Sequence, residues 1–154
     1  MFAASGEELV NICNDNHIPI WEYAIREEVI RSEASRPDVI ENMRRTLHVM
    51  MDSSTYAQDQ QVTSVSGLIG GDAYNIKMYA DRGITLTGDF LNRAMARAMS
   101  SSEVNAAMGR IAACPTAGSC GILPAVILSA GEKLNKAEDE LINALFTAAG
   151  VGII

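Results

Sequence analysis

Apolar residues in this chain recur three and four positions apart, and no segment shows sustained strand-like alternation, so the sequence specifies helices packed along stripes. Ser5 is placed to cap a first helix, with Glu7 and Glu8 in its first turn and Leu9, Ile12 and Cys13 on one apolar side. His17 to Pro19 interrupts it. A second helix is predicted from Ile20 to Glu33, with Ile20, Ala24, Glu27 and Arg31 in one axial row and Trp21, Ile25 and Val29 on an apolar face. Pro37 opens a third, to Tyr56, on Ile40, Met43, Leu47, Met50 and Met51. Residues Ala57 to Val65 read as loop.

A short helix is expected around Ala73 to Asp81, ended by Gly83. Thr87-Gly88-Asp89 can start the next, with Leu91, Ala94, Met95, Ala98 and Met99 as its packing face. Ser100 and Glu103 have capping-box spacing, which places a break at Ser100 to Ser102; one continuous helix is the alternative. Another helix starts near Ile122, where Pro124 is tolerated in the first turn. The last is predicted from Asn135 to Ala149, with an Asn135/Glu138 capping box and Leu141, Ile142, Leu145 and Phe146 in the core. The expected fold is an all-α, compact helical domain with ligand-binding loops between helices, covering 1–154.

Composition narrows function. The 154 residues carry 12 Lys and Arg against 19 Asp and Glu, a net charge of -7, which argues against a polybasic nucleic-acid surface. The apolar runs fall short of the roughly 20 residues needed to cross a bilayer, and an odd count of 3 cysteines argues against a disulfide-built secreted domain. No nucleic acid, no membrane association and a cytoplasmic location are therefore expected. With His17 and His48 the only histidines, and Cys13, Cys114 and Cys120 the only cysteines, no concentrated four-ligand zinc motif is present.

Two loops stand out. Ser66-Gly67-Leu68-Ile69-Gly70-Gly71-Asp72 joins flexible backbone to a hydroxyl and a carboxylate; it fits a ligand loop or plain structural turns, and it lacks the lysine of a phosphate-binding loop. In Cys114-Pro115-Thr116-Ala117-Gly118-Ser119-Cys120-Gly121, the hydroxyls of Thr116 and Ser119 and the backbone N–H groups of Gly118, Cys120 and Gly121 can capture a carboxylate beside the following helix. Between them lie Glu103, read as a cap, an ion-pair partner for Arg110 or a proton-handling group, and Asn105, which has both a donor and an acceptor.

Taken together, Ser66 to Asp72, Ser102-Glu103-Val104-Asn105-Ala106-Ala107-Met108-Gly109-Arg110 and Pro115 to Val126 resemble, in order and context, the alpha catalytic region of bacterial iron-sulfur L-serine dehydratases. The resemblance covers nearly the whole chain and matches the N-terminal part of that region. It implies elimination of water and ammonia from L-serine to give pyruvate, in amino-acid metabolism and gluconeogenesis, with a [4Fe-4S] cluster as Lewis acid. It implies substrate contact at Ser66, Gly67, Asp72, Asn105, Thr116, Ala117, Gly118, Ser119, Cys120 and Gly121, with the catalytic base unassigned.

The family's cluster cysteines lie in later Gly-Cys-Gln and Cys-Asp-Pro…Pro-Cys motifs that do not occur here, so no metal ligand is expected in this chain and the 154 residues alone are expected to be inactive. The expected partners are L-serine, the downstream catalytic portion, a separate beta subunit and further copies in a homo- or hetero-oligomer, with L-threonine as the rival substrate. A noncatalytic small-carboxylate-binding or assembly domain on the same fold is the alternative.

Overall fold

The computed structural model describes residues 3–154; Met1 and Phe2, which the expected domain includes, lie outside them. The described residues form seven α-helices and one 3-10 turn, with no strand, so the fold is all-α. They group into two compact units: the segment up to Leu47 together with Ala137–Ile154, and His48–Lys136.

In the first unit α1 spans Gly6–Asp15, and Ser5 caps it by accepting from Glu8 N–H at 3.2 Å. Leu9 and Cys13 are buried with Tyr23, whose hydroxyl accepts from Ala3 N–H at 2.8 Å. Helix α2, Ile20–Ser32, ends on Glu33 in left-handed backbone and buries Tyr23, Ala24 and Ile25. Its inward stripe is thus centred nearer Ala24 than the Trp21, Ile25 and Val29 face predicted, although Ile25 is buried as expected. Helix α3 runs Arg36–Asp59, and the part before His48 belongs here. Helix α7, Glu138–Gly152, packs on α2 and buries Ile142, Leu145 and Phe146. Arg44 pairs with Asp139 at 3.1 Å and with Glu138.

The last helix begins three residues later than predicted. Its first turn is closed by the Glu140 carboxylate, which accepts from Ala137 N–H at 3.0 Å, while Asn135 sits at φ 52 in the turn that ends the preceding helix. The Asn135/Glu138 capping box is therefore not formed. Asparagine tolerates left-handed backbone well, and that use competes with capping.

The second unit contains the remainder of α3, α4 at Asp72–Ala80, α5 at Asp89–Ala106, a 3-10 turn at Ala117–Ser119 and α6 at Ile122–Lys133. Helix α3 continues to Asp59, so the first three residues of the predicted Ala57 to Val65 loop are helical. Met51, predicted as core, is 40% exposed, and the buried positions that follow Met50 are Ser53, Ser54 and Ala57.

Helix α5 is continuous, with no break at Ser100 to Ser102, and it packs on both α4 and α6. Its buried face is Asn92, Ala96, Ser100, Ser101, Glu103 and Val104, whereas Leu91 and Met95 are exposed. Of the predicted face, Met99 packs against the Ala57, Ala73 and Val104 cluster, while the fully buried positions Ala96, Ser100 and Ser101 are small residues that let backbones approach. Ser100 Oγ donates to the Ser53 carbonyl at 2.7 Å and accepts from Ala57 N–H at 2.9 Å, so one hydroxyl bridges a donor and an acceptor one turn apart on α3. The Ser100/Glu103 capping box is absent because both side chains bond to other elements.

Candidate functional site

Three of the segments singled out in the sequence converge on the C-terminal end of α5. Glu103 is 1% exposed, and its Oε1 accepts from the backbone N–H groups of Asp72 at 2.7 Å and Ala73 at 3.0 Å. These belong to the first turn of α4, where N–H groups have no partner within the helix and the helix end favours negative charge. Glu103 is a cap, then, but of a helix 31 residues upstream in sequence rather than its own. Its other oxygen, Oε2, is buried without a hydrogen-bond partner. Arg110 lies in the turn that follows α5 and makes no ion pair with Glu103, so that expected pairing is not formed.

The loop Ser66 to Asp72 is fastened at both ends. Val65 N–H donates to the Ala106 carbonyl at 3.2 Å, and Glu103 holds the start of α4. Within the loop, Ser64 N–H donates to the Ile69 carbonyl at 2.8 Å and Ser64 Oγ accepts from Ile69 N–H at 3.0 Å, closing a tight turn. Ser66 Oγ lies 3.2 Å from Ser64 Oγ, and Gly67 takes a left-handed φ of 72. A side chain at Gly70 would place its Cβ 1.9 Å from the Val62 carbonyl oxygen, so only glycine fits this close approach. Asp72 is the first residue of α4 and is exposed.

The second loop docks on the same helix end: Asn105 Nδ2 donates to the Ala117 carbonyl at 3.2 Å. Thr116 and Ser119, predicted as carboxylate ligands, bracket the 3-10 turn. Thr116 Oγ1 and Ser119 Oγ lie 3.0 Å apart, and Ser119 Oγ donates to the Cys114 carbonyl at 3.0 Å. Their hydroxyls thus engage the loop itself, as do the N–H groups of Ser119 and Cys120. Gly118 lies exposed in the turn, while Cys120 is 1% exposed with its thiol 3.6 Å from the Ser101 carbonyl. Gly121 is fixed by packing: a Cβ there would lie 2.3 Å from the Ala98 carbonyl oxygen, so its bare backbone sets how closely α6 meets α5. The Cys114-Pro115 bond is cis.

A [4Fe-4S] cluster needs several converging thiolates. Cys13 lies in the first unit and Cys114 and Cys120 in the second, and burial pushes all three thiols upward, toward the protonated form that does not bind iron. Among the described residues no three His, Cys, Asp or Glu side chains come together to hold a metal ion. Within either unit taken by itself, the described cysteines are too few to supply the ligands of such a cluster.

The sequence reading missed a cleft of about 450 Å³ between α3 and the turn after α5, walled by Asp52, Tyr56, Gln60, Gln61 and Arg110. Spacing of four along α3 puts Asp52 and Tyr56 on one face, a signal hidden by weighing only the apolar residues there. No described helix is long and apolar enough to cross a membrane.

Residues 15–154 match the family model described as serine dehydratase alpha chain. The L-serine dehydratase alpha chain of Peptoniphilus asaccharolyticus is 36% identical over 148 residues, which cover 96% of this chain and 51% of that protein. The probable L-serine dehydratase alpha chain of Bacillus subtilis is 36% identical over 148 residues, covering 96% of this chain and 49% of the relative. A similarly named chain of Latilactobacillus sakei is 39% identical over 66 residues, covering 43% of this chain and 32% of that one. The chain thus spans about half the length of the first two relatives, and no solved structure matches it significantly. With a family match running from residue 15 to the last residue and the three motif segments gathered at one helix end, the chain belongs to the serine dehydratase alpha chain family.

Proposed function

We propose that this chain supplies the substrate-facing part of an L-serine dehydratase, an L-serine ammonia-lyase that converts L-serine to pyruvate and ammonia in the cytoplasm. The observation that carries the reading is the fastening of two motif loops to one helix end by two polar side chains two residues apart, Glu103 to Asp72 and Ala73, and Asn105 to Ala117. Elimination of water across two carbons needs the α C–H and the hydroxyl held in one orientation, and rigidly seated loops provide that positioning.

On this reading Asp72, at the mouth of the first loop, faces the substrate ammonium, and the backbone of Thr116 to Gly121 faces its carboxylate, with Asn105 setting the second loop. Any [4Fe-4S] cluster is held by residues outside this sequence, and the partners are the rest of the catalytic unit, a beta subunit and further copies of the assembly. Residues of this chain then act by binding and orienting; none of them is assigned as the base that removes the α proton.

The test pairs this 154-residue chain with a longer natural family member carrying the same three segments, each reconstituted anaerobically with iron and sulfide. The longer protein is expected to release pyruvate from L-serine, and the change equivalent to Asn105→Ala in it to lower turnover about tenfold or more, the cost of a misplaced loop. Pyruvate release by the 154 residues alone would overturn the claim that they are only a part of the catalytic unit. Unchanged turnover and α-proton exchange in the Asn105 variant would remove its orienting role.

A further inference from the structure

The first turn of α5 is left uncapped. Gly88, the residue before it, sits at φ 80, backbone that favours glycine, so no side chain there accepts from the N–H groups of Asp89, Phe90 and Leu91. These groups have no partner within the helix, and the helix end favours negative charge. A cleft of about 580 Å³ opens beside them, lined also by Thr87 and by Ser129 and Lys133 of α6.

Ser129 gives this cleft a second, independent mark. It is 4% exposed, and its hydroxyl is buried without a hydrogen-bond partner. Alanine would serve packing better at such a position, because a buried hydroxyl left unpaired costs stability. The carboxylates around it are already engaged, Asp89 with Arg93 at 2.8 Å and Glu132 with Arg97 at 2.6 Å. Lys133 makes no ion pair among the described residues. The uncommitted groups are thus all able to donate: three backbone N–H groups, the hydroxyls of Thr87 and Ser129, and the Lys133 ammonium.

We infer that this cleft binds a small phosphate monoester, its phosphoryl oxygens on the first turn of α5, Ser129 and Lys133, and its organic part against the half-exposed side chains of Phe90 and Leu91. Several donors and no free guanidinium suit an anion with three acceptor oxygens. A carboxylate is the poorer match, because the fork it would use, Arg93, is taken by Asp89 and, at 3.3 Å, by Asp81. Glu103 and Asn105 lie at the other end of α5, roughly 20 Å away along the helix axis. The site is therefore separate from the two motif loops, and it stands whether or not the chain takes part in L-serine elimination.

The test uses NMR titration of the 154-residue chain, in phosphate-free buffer, with phenyl phosphate, inorganic phosphate, benzoate and phenol. Phenyl phosphate is expected to give saturable shifts at 87–93 and 129–133, and inorganic phosphate weaker binding at the same amides. Benzoate and phenol are expected to bind at least about tenfold more weakly than phenyl phosphate. Ser129→Ala should weaken phenyl phosphate about tenfold, the loss of one hydrogen bond to a charged group. Lys133→Gln should weaken it roughly two- to fivefold at low salt, with Lys133→Arg restoring it, as for an exposed charge. Without ligand, Ser129→Ala should melt at or above the parent's thermal midpoint, since it removes a buried hydroxyl that has no partner.

A parent chain with no saturable shifts at those residues would overturn the assignment, as would an unchanged affinity in Ser129→Ala or Lys133→Gln. Benzoate as tight as phenyl phosphate would remove the phosphoryl preference, and phenol as tight would remove the anion. A ligand-free Ser129→Ala chain that melts below the parent would mean that the hydroxyl already has a partner within the fold, and the site would lose its second mark.

Discussion

Replacing Glu103 with alanine removes the acceptor for two N–H groups at the start of α4, one of them on Ala73, which is 0% exposed. Hydrogen bonds to a charged group contribute about 1.5–3 kcal/mol each, so the gross loss is roughly 3–6 kcal/mol. Against this, Oε2 is a buried carboxylate oxygen with no partner, and removing it returns about 1–3 kcal/mol. Taking the middle of each range, about 4.5 less about 2, the net expectation for Glu103→Ala is a destabilisation of about 2.5 kcal/mol. For a chain of this length it lowers the thermal midpoint by roughly 5–10 °C. Glu103→Gln keeps an oxygen for both N–H groups and loses only the attraction between the carboxylate and the helix end, about 0.3–1 kcal/mol. Urea unfolding followed at 222 nm gives both numbers. The reasoning fails if Glu103→Ala stays within about 1 kcal/mol of the parent, or if Glu103→Gln is as damaging as Glu103→Ala, because either result means the two bonds are not what the carboxylate provides.

Gly121→Ala should cost more than Gly150→Ala: the first drives a Cβ to 2.3 Å from the Ala98 carbonyl oxygen, whereas the second meets side-chain carbons of Ala24 and Ile20 at 3.2 and 3.3 Å and the Ile20 carbonyl oxygen at an ordinary 3.8 Å, and overpacking of the first kind costs about 1–3 kcal/mol or more. Differential scanning calorimetry ranks the two, and equal midpoints would contradict the close approach. The Glu22 carboxyl is held below its usual range by hydrogen bonds first from Arg36 and then from Arg26, so its contribution is complete above the unfolded value near ~4.3 and is lost as pH falls through the lower folded value. Arg36→Gln should therefore flatten the acid limb of stability against pH, by less than about 1 kcal/mol because Arg36 is 45% exposed, and an acid limb identical to the parent's would refute the pairing. Under native conditions at pH 7.5, iodoacetamide should label the half-buried Cys114 before Cys13 and Cys120, whose thiols are both buried and pushed upward; peptide mass mapping that finds Cys120 first would reverse that order.

Helix positions were legible because caps and breakers act over a few residues: Ser5, Pro19, Gly83 and the Pro124 turn all mark boundaries where they were read. The buried face of α5 was not, since its inward residues are Asn92, Ala96 and Ser100, and hydropathy gives such residues little weight against Leu91 and Met95. Glu103 shows the same limit for the site. Its capping chemistry is written in the residue type, but the partner lies on another helix, and no local spacing identifies it. Thr116 and Ser119 were recognisable as hydroxyls at a loop, yet they cap each other across the turn Ala117–Ser119, a use that sequence alone does not rank against ligand binding. The Asp52 and Arg110 cleft depends on a chain reversal at Met108, a non-glycine residue in left-handed backbone, which carries no sequence mark.

The Ser100 bridge to Ser53 and Ala57 acts as an indexing pin for the rotation of α5. A greasy contact tolerates a helix turning about its axis, but a hydroxyl that must donate and accept at fixed atoms does not. One residue of slip along α5 would swing its side chains by about 100°. Glu103 and Asn105 sit three and five positions beyond that pin, within two turns of it, so the direction in which each reaches its loop is inherited from a serine that touches neither.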